Sequence, residues 1–151
     1  MKPEITIIND HEFELPQNIE EIINSCMRVI QQKKDISITI SFVNNEEMIL
    51  LNKSYRGYAQ STDVLSFEAN EIDPETGRLI IGDIVICYPH VQQQSNSLNN
   101  TLFDEINLMV IHGFLHLSGF DHNDDKNKST MWKFQNEILK MNNISLNQIP
   151  E

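Results

Sequence analysis

The hydrophobic positions of this chain repeat with two different periods that alternate along its length. Residues 37–43 alternate between apolar and hydroxyl-bearing side chains, which predicts a strand with one buried face. Shorter β-rich runs predict further strands at residues 5–8, 64–67 and 84–87. Apolar residues three and four positions apart predict helices at residues 18–33, 102–117 and 128–141. Two shorter helices are expected to begin near Asn45 and Pro89.

Polar residues indicate where several of these elements begin or turn. Asn18 is followed three residues later by Glu21, which is typical of a helix-capping pair. Thr101 stands in the same relation to the helix that follows it, and Asn45 is expected to cap the short helix after the long strand. Residues 73–77 combine Asp, Pro and Gly and therefore predict an exposed turn between two strands.

Together these elements predict one α+β domain over residues 1–151, with a small central mixed β-sheet packed against about five helices. A chain of 151 residues with 40% hydrophobic content can bury a core of its own. No stretch reaches the roughly 18 apolar residues that span a bilayer, and the N-terminus lacks the apolar run of a secretory signal. We therefore expect a cytoplasmic protein with no membrane partner. Cys26 and Cys87 are expected to be buried thiols.

The charge balance limits the kinds of partner that the chain can bind. Asp and Glu number 22 against 11 Lys and Arg, which gives a formal net charge of −11. Because affinity for nucleic acid rests largely on neutralising phosphates, a chain this acidic should have little general affinity for RNA or DNA. A nucleic-acid substrate would require a local basic groove or a larger assembly.

Three of the five histidines fall in one short segment, HGFLHLSGFDH, at residues 112–122. His112 and His116 are four residues apart on a predicted helix, so both imidazoles lie on one face and can reach one ion. Gly119 can adopt the left-handed conformation that ends a helix and reverses the chain. His122 would then return as a third ligand. This spacing predicts a metal site at the end of a helix.

The predicted ligand set is more typical of a catalytic than of a structural ion. Structural zinc sites usually have four protein ligands rich in cysteine, whereas this segment offers three histidines and no cysteine. A fourth position left open to water favours a hydrolase. Asp121 could be a further ligand or could equally orient a histidine. We expect one zinc ion, although three histidines also suit nickel, copper or iron.

The same spacing occurs in metzincin peptidases, which carry a glutamate directly after the first histidine as general base. That position is Gly113 here. Because glycine cannot accept a proton, a peptidase reaction would lack its central catalytic group.

The segment HGFLHLSGFDH resembles the signature of the YbeY family of bacterial endoribonucleases, also called rRNA maturation factors. Further segments resemble the same family in the same order, namely NKSYRG at 52–57, TDVLSF at 62–67 and GDIVIC at 82–87. The resemblance covers about residues 36–139. One departure is Leu108, because family members often have another histidine one turn before the first ligand.

The resemblance implies a small, zincin-like α+β fold with one metal ion in a cleft. It also implies cleavage of single-stranded RNA, a role in maturing the 3′ end of small-subunit rRNA, and participation in ribosome quality control. The expected partners are single-stranded RNA, the ribosome and ribosomal proteins, but not DNA.

Arg56 corresponds to the arginine of the family's motif, and a guanidinium suits the charge that develops on phosphoryl oxygens. We therefore expect Arg56 and His116 to be catalytic, with His112, His116 and His122 as the metal ligands. Lys53 could extend the same basic edge. Asp83 could be a turn residue or an active-site acid, and we favour the turn. The nucleophile could be water or the 2′-hydroxyl of the RNA.

A second hypothesis is a ribosome-associated binding module in which the ion only holds the fold. The acidic charge fits such a module only if a protein partner delivers it to the ribosome.

Overall fold

The structure is a computed structural model that describes residues 2–121 and 123–150. Within these residues the chain forms four strands and five helices, as the sequence predicted. In chain order they are β1 (Glu4–Ile8), α1 (Ile19–Val29), β2 (Ile36–Val43), α2 (Asn45–Arg56), β3 (Val64–Ile72), β4 (Leu79–Cys87), α3 (Tyr88–Leu98), α4 (Leu102–Leu117) and α5 (Asp125–Met141). No helix in the described ranges is long and apolar enough to cross a membrane.

The four strands form one mixed sheet in the order β1-β2-β4-β3. Strands β1 and β4 both pair with β2 in parallel, whereas β3 pairs antiparallel with β4. Residues 73–77 form the turn of this hairpin, in which the Gly77 amide donates to the Asp73 carbonyl at 2.8 Å. The mixed sheet and the exposed turn were both predicted from the sequence.

The sheet buries both of its faces, one of them far more extensively than the other. Ile84 and Ile86 of β4 point into the main core with α1, α3, α4 and α5, while Val85 and Cys87 face a small cluster that includes Met48 of α2. Successive side chains of a strand point to opposite faces, which separates these two groups. Helix α4 packs against α1, α3, α5, β3 and β4, so it is surrounded by protein along much of its length.

Several predicted element ends differ from the structure. Helix α1 ends at Val29, whereas the apolar spacing predicted about residue 33. Strand β3 ends later than predicted, at Ile72, and strand β4 begins earlier, at Leu79. Both are longer because backbone pairing continues along the hairpin beyond the apolar residues. Helix α5 begins earlier than predicted because the Asp124 carboxylate accepts a hydrogen bond from the Asn127 amide at 2.8 Å.

The predicted helix caps had three different outcomes. The Thr101 cap is confirmed, with its hydroxyl accepting from the backbone of the first turn of α4. Asn18 is the N-cap residue of α1 as predicted, but its side chain makes no capping hydrogen bond, and its oxygen instead accepts a hydrogen bond from Asn107 of α4 at 3.1 Å. The cap of α2 is Asn44 and not Asn45, which is the first residue of that helix.

Candidate active site

A cleft of about 790 Å³ opens where the last turns of α4 face the start of β3, the end of α2 and one side of α5. His112, His116 and Arg56 all line it, so the fold brings together three of the residues singled out in the sequence. The other lining residues are Thr62, Asp63, Val64, Leu65, Ser66, Glu68, Leu108, Met109, Asp121, Lys128, Trp132, Gln135, Ile149 and Pro150.

The two helical histidines converge as their spacing predicted. The Nε2 atoms of His112 and His116 lie 3.0 Å apart, and the ring centroids are separated by 4.6 Å in an edge-to-face arrangement. Both residues are half-buried in the cleft wall. The two imidazoles therefore present the same ring nitrogen to one point.

A neighbouring side chain lies near the Nδ1 atom of each ring. The Nδ1 atom of His112 lies 3.4 Å from the side-chain oxygen of Gln135, which is buried on α5. An amide oxygen only accepts hydrogen bonds, so this contact suits the tautomer of His112 that carries its proton on Nδ1 and keeps the Nε2 lone pair available as a ligand. Asp121 Oδ1 lies 3.9 Å from Nδ1 of His116 and favours the same orientation of that ring.

The two Nε2 atoms lie within hydrogen-bond distance of each other, and a cation held by both lone pairs would replace that contact. Nitrogens that each lie about 2.0–2.1 Å from one ion can be at most about 4.2 Å apart. The observed 3.0 Å separation satisfies this limit. His112 and His116 therefore fit a shared ion.

The predicted third ligand, His122, lies outside the described residues. Among those that the structure describes, no group of three or more His, Cys, Asp and Glu side chains is arranged to hold a metal. Asp121 lies on the Nδ1 side of His116, away from the nitrogen that faces His112, so its position favours an orienting role over ligation.

The end of α4 explains how the chain can return toward the two histidines. Gly119 has φ +95°, its amide donates to the His116 carbonyl at 3.0 Å, and the Phe120 amide donates to the Leu115 carbonyl at 3.0 Å. This pair of bonds is the Schellman motif, which needs a residue in the left-handed region. The predicted helix end at Gly119 is confirmed.

Gly113 lies where α4 packs against the sheet, beside the face of the helix that lines the cleft. A Cβ atom built there would lie 2.9 Å from Cγ2 of the buried Ile84. A larger side chain at this position would crowd Ile84 from its Cβ onward. Because glycine cannot accept a proton, the residue after the first histidine supplies no general base.

Arg56 is the last residue of α2, and Gly57 ends the helix in the left-handed conformation with φ +77°. The buried Asn52 donates to the Gln60 carbonyl at 2.8 Å and thereby ties the following loop back to α2. This loop leads into β3, so Arg56 and the start of β3 reach the cleft together. Lys53 does not line the cleft, although it belongs to the same motif.

Asp83 differs from its prediction. It is an exposed residue within β4, opposite Phe67 of β3, and not part of a turn. The turn was predicted from Gly82, but this glycine lies at a strand irregularity with φ +139°. A Cβ atom there would lie 2.1 Å from the Phe67 carbonyl oxygen. Glycine occurs at such close backbone approaches as well as in turns.

Three cleft residues on α5 were not singled out in the sequence, namely Lys128, Trp132 and Gln135. Gln135 had a detectable signal, because it is a polar residue in the otherwise apolar stripe formed with Met131 and Ile138. A buried polar side chain in such a stripe usually has a specific partner. Here that partner is His112.

The cleft combines charges of both signs. Arg56 and Lys128 contribute positive charge, and Asp63, Glu68 and Asp121 contribute negative charge. The Asp63 carboxylate accepts a hydrogen bond from the Val64 amide at 2.8 Å, so part of its role is to shape the start of β3. An anionic substrate would therefore be held between Arg56 and the α5 side of the cleft.

The fold and the site define the chain as a small α+β protein whose paired histidines, together with an arginine, form a polar cleft. The family model for Endoribonuclease YbeY matches residues 4–143. The chain belongs to this family, and its assignment as an endoribonuclease, a hydrolase that cuts RNA, follows from that membership.

Curated relatives carry the same description. Endoribonuclease YbeY of Halalkalibacterium halodurans is 32% identical over 143 residues, which cover 86% of this chain and 90% of the relative. The protein of that name from Mesoplasma florum is 34% identical over 131 residues, covering 83% of this chain and 77% of the relative. A solution structure of a Thermotoga maritima protein is similar at a TM-score of 0.61 and 27% identity, covering 93% of this chain and 91% of that one.

Proposed function

We propose that the chain is a metal-dependent endoribonuclease that cuts single-stranded RNA in the cleft between α4, β3 and α5. The observation that carries this proposal is the convergence of His112 Nε2 and His116 Nε2, 3.0 Å apart, in the same cleft as Arg56. His112, His116 and His122 would hold one zinc ion. When bound, the ion would supply a Lewis acid that lowers the pKa of water and polarises a phosphoryl oxygen.

The protein's own groups would do the remaining work. Gln135 and Asp121 would orient the two imidazoles through their Nδ1 atoms, which would keep the Nε2 atoms available as ligands. Arg56 would bind the non-bridging phosphoryl oxygens of the scissile linkage and stabilise the charge that develops there. Leu108 and Met109 form part of the wall behind the histidines, where an apolar surface strengthens these electrostatic contacts.

The biological substrate that we propose is the 3′ end of small-subunit rRNA, with a further role in ribosome quality control. The family membership supports RNA as the substrate class. An acidic chain with net charge −11 would depend on the ribosome or its proteins to be delivered to this RNA.

The test is cleavage of an end-labelled single-stranded RNA by the purified protein and by His116→Ala. His90→Ala is the matched control, because His90 lies at the start of α3 and does not line the cleft. We expect the wild type and the control to cut at the same positions and His116→Ala to lose cleavage. Equal cleavage by all three preparations would identify a contaminating ribonuclease and contradict the proposal.

Product ends distinguish the two nucleophiles. A 5′-phosphate and a free 3′-hydroxyl indicate attack by water, whereas a 2′,3′-cyclic phosphate indicates attack by the 2′-hydroxyl. Mass spectrometry of the products separates these cases. Measuring metal content in the wild type and in His116→Ala would test the ligand assignment without an activity assay.

The second candidate function is a binding module in which the ion is structural. It predicts no cleavage by any preparation and unfolding of the protein by a chelator. A peptidase is disfavoured, because Gly113 faces Ile84 and leaves no place for a base after the first histidine.

A further inference from the structure

The side of α5 that faces the cleft carries an aromatic ring beside a lysine. Trp132 is 41% exposed, and Lys128 Nζ lies 5.2 Å from the centroid of its ring. Both residues line the same cleft as the two histidines. A large aromatic side chain that stays this exposed has little role in the core, and its ring and the neighbouring ammonium group can both contact a ligand.

The spacing along α5 connects this pair to the candidate active site. Lys128, Trp132 and Gln135 are four and three residues apart, so they lie on one face of the helix. Gln135 is the residue that contacts His112. Trp132 is therefore displaced from that contact by about 4.5 Å along the helix axis, which is shorter than one nucleotide unit of an extended strand.

The charge of α5 is opposite in sign to that of the whole chain. The helix holds four of the eight lysines against two acids, which is a net charge of +2 within a protein of net charge −11. The two acids are Asp125 and Glu137, and the other three lysines are Lys126, Lys133 and Lys140. Positive charge concentrated beside an exposed aromatic ring is the combination that binds single-stranded nucleic acid.

We propose that Trp132 and Lys128 form a nucleotide-binding subsite, in which the indole stacks on the base next to the scissile phosphate and the ammonium group contacts the adjoining phosphate. This inference rests on the proposed endoribonuclease function and extends it to substrate positioning. Stacking requires an unpaired base, so the subsite would select single-stranded over double-stranded RNA. It would also tolerate any sequence, because every base has a stacking face.

The protein provides its own probe, since Trp132 is its single tryptophan. The experiment titrates the metal-loaded protein with a single-stranded 2′-O-methyl oligoribonucleotide, and a gel confirms that the oligonucleotide stays intact. We expect tryptophan emission to be quenched saturably by the single strand and to change little with a duplex of the same sequence. Binding is measured in parallel by the anisotropy of labelled RNA.

Variants separate the ring from the charge. We expect Trp132→Ala to weaken binding by about 10-fold, within the range for losing one base-aromatic stack. Trp132→Phe retains an aromatic ring and should bind within about 3-fold of the wild type. Lys128→Gln should weaken binding and lower its salt dependence, whereas Lys34→Gln is the control because the exposed Lys34 lies outside α5 and does not line the cleft.

The outcomes distinguish this proposal from the proposed function. Saturable RNA binding without a change in tryptophan emission, absence of RNA binding, or wild-type affinity in Trp132→Ala would each overturn the subsite. If the subsite is overturned while the wild type still cleaves RNA, the endoribonuclease proposal stands alone. If binding and quenching occur as expected but no preparation cleaves RNA, the subsite stands and the catalytic proposal fails.

Discussion

Gly113→Ala tests how closely α4 packs on the sheet. The added Cβ would lie 2.9 Å from Cγ2, 3.0 Å from Cδ1 and 3.0 Å from Cγ1 of Ile84. Carbon atoms in contact prefer separations of about 3.5–4.0 Å, so either the helix or the strand residue must move by several tenths of an ångström. Ile84 is fully buried and has little room to withdraw.

Two opposing effects determine the change in the free energy of unfolding. Alanine is favoured over glycine within a helix by about 1 kcal/mol, which would stabilise the variant. Overpacking a well-filled core costs about 1–3 kcal/mol. The three close contacts place this site toward the upper end of that cost, so we expect a net destabilisation of about 1–2 kcal/mol. In a protein of this size that corresponds to a decrease in Tm of about 2–8 °C.

Urea unfolding of four proteins, namely the wild type, both single variants and the double variant, would measure the effect and its cause. Ile84→Ala removes all three crowded atoms and should cost about 2–5 kcal/mol by itself. In the double variant the new methyl group fills part of that cavity, so we expect the two changes to be less than additive by about 1–2 kcal/mol. A Gly113→Ala protein as stable as the wild type, or strict additivity, would refute the close packing of α4 on β4.

Three further predictions concern positions outside the catalytic machinery. Gly82→Ala should destabilise the protein by about 3 kcal/mol or more in urea unfolding. The reason is that φ at Gly82 is +139° and the new Cβ would lie 2.1 Å from the Phe67 carbonyl oxygen of β3. Unchanged stability would contradict this geometry. Burial raises the pKa of the Cys26 thiol, so this thiol should remain unmodified by iodoacetamide at pH 8 until the protein unfolds, and rapid labelling of the native protein would contradict its burial. Hydrogen bonding to His11, and less strongly to the Asn44 backbone, lowers the pKa of Glu47 below its usual 4.5. The Glu47 carboxylate therefore stabilises the fold fully above pH 4.5, and this stabilisation is lost as the pH falls through the lower pKa of the folded state. Thermal melts should therefore show Glu47→Gln less stable than the wild type at pH 6 and equal to it at the acid limit, and a difference that does not change with pH would contradict the assignment.

The parts of the site that the sequence predicted are those within one element. His112 and His116 converge because both lie on α4, where a four-residue spacing fixes their relative position regardless of the rest of the fold. The end of α4 at Gly119 likewise depends only on residues close to it in sequence. Tertiary structure could change neither result without unwinding the helix.

The unpredicted parts depend on how distant elements pack. Gln135 contacts His112 only because α5 lies beside α4, and their 23-residue separation in sequence carries no spacing rule. Asn18 is a residue type typical of helix caps. Its side-chain oxygen nevertheless accepts a hydrogen bond from Asn107 on α4, 89 residues away. In both cases a partner brought close by the fold decided the role of a polar side chain.

The net charge of the chain does not by itself locate where an anionic substrate could bind. A charge of −11 predicts weak affinity for RNA, but electrostatic screening limits exposed charges to a range of about 8–10 Å near physiological salt. Within that range of the cleft lie the cations Arg56 and Lys128 and the acids Asp63, Glu68 and Asp121, so this local arrangement matters more than the remote carboxylates. The remote acids would reduce non-specific RNA binding, and the proposed RNA contacts would fall at Arg56 of α2 and Lys128 of α5.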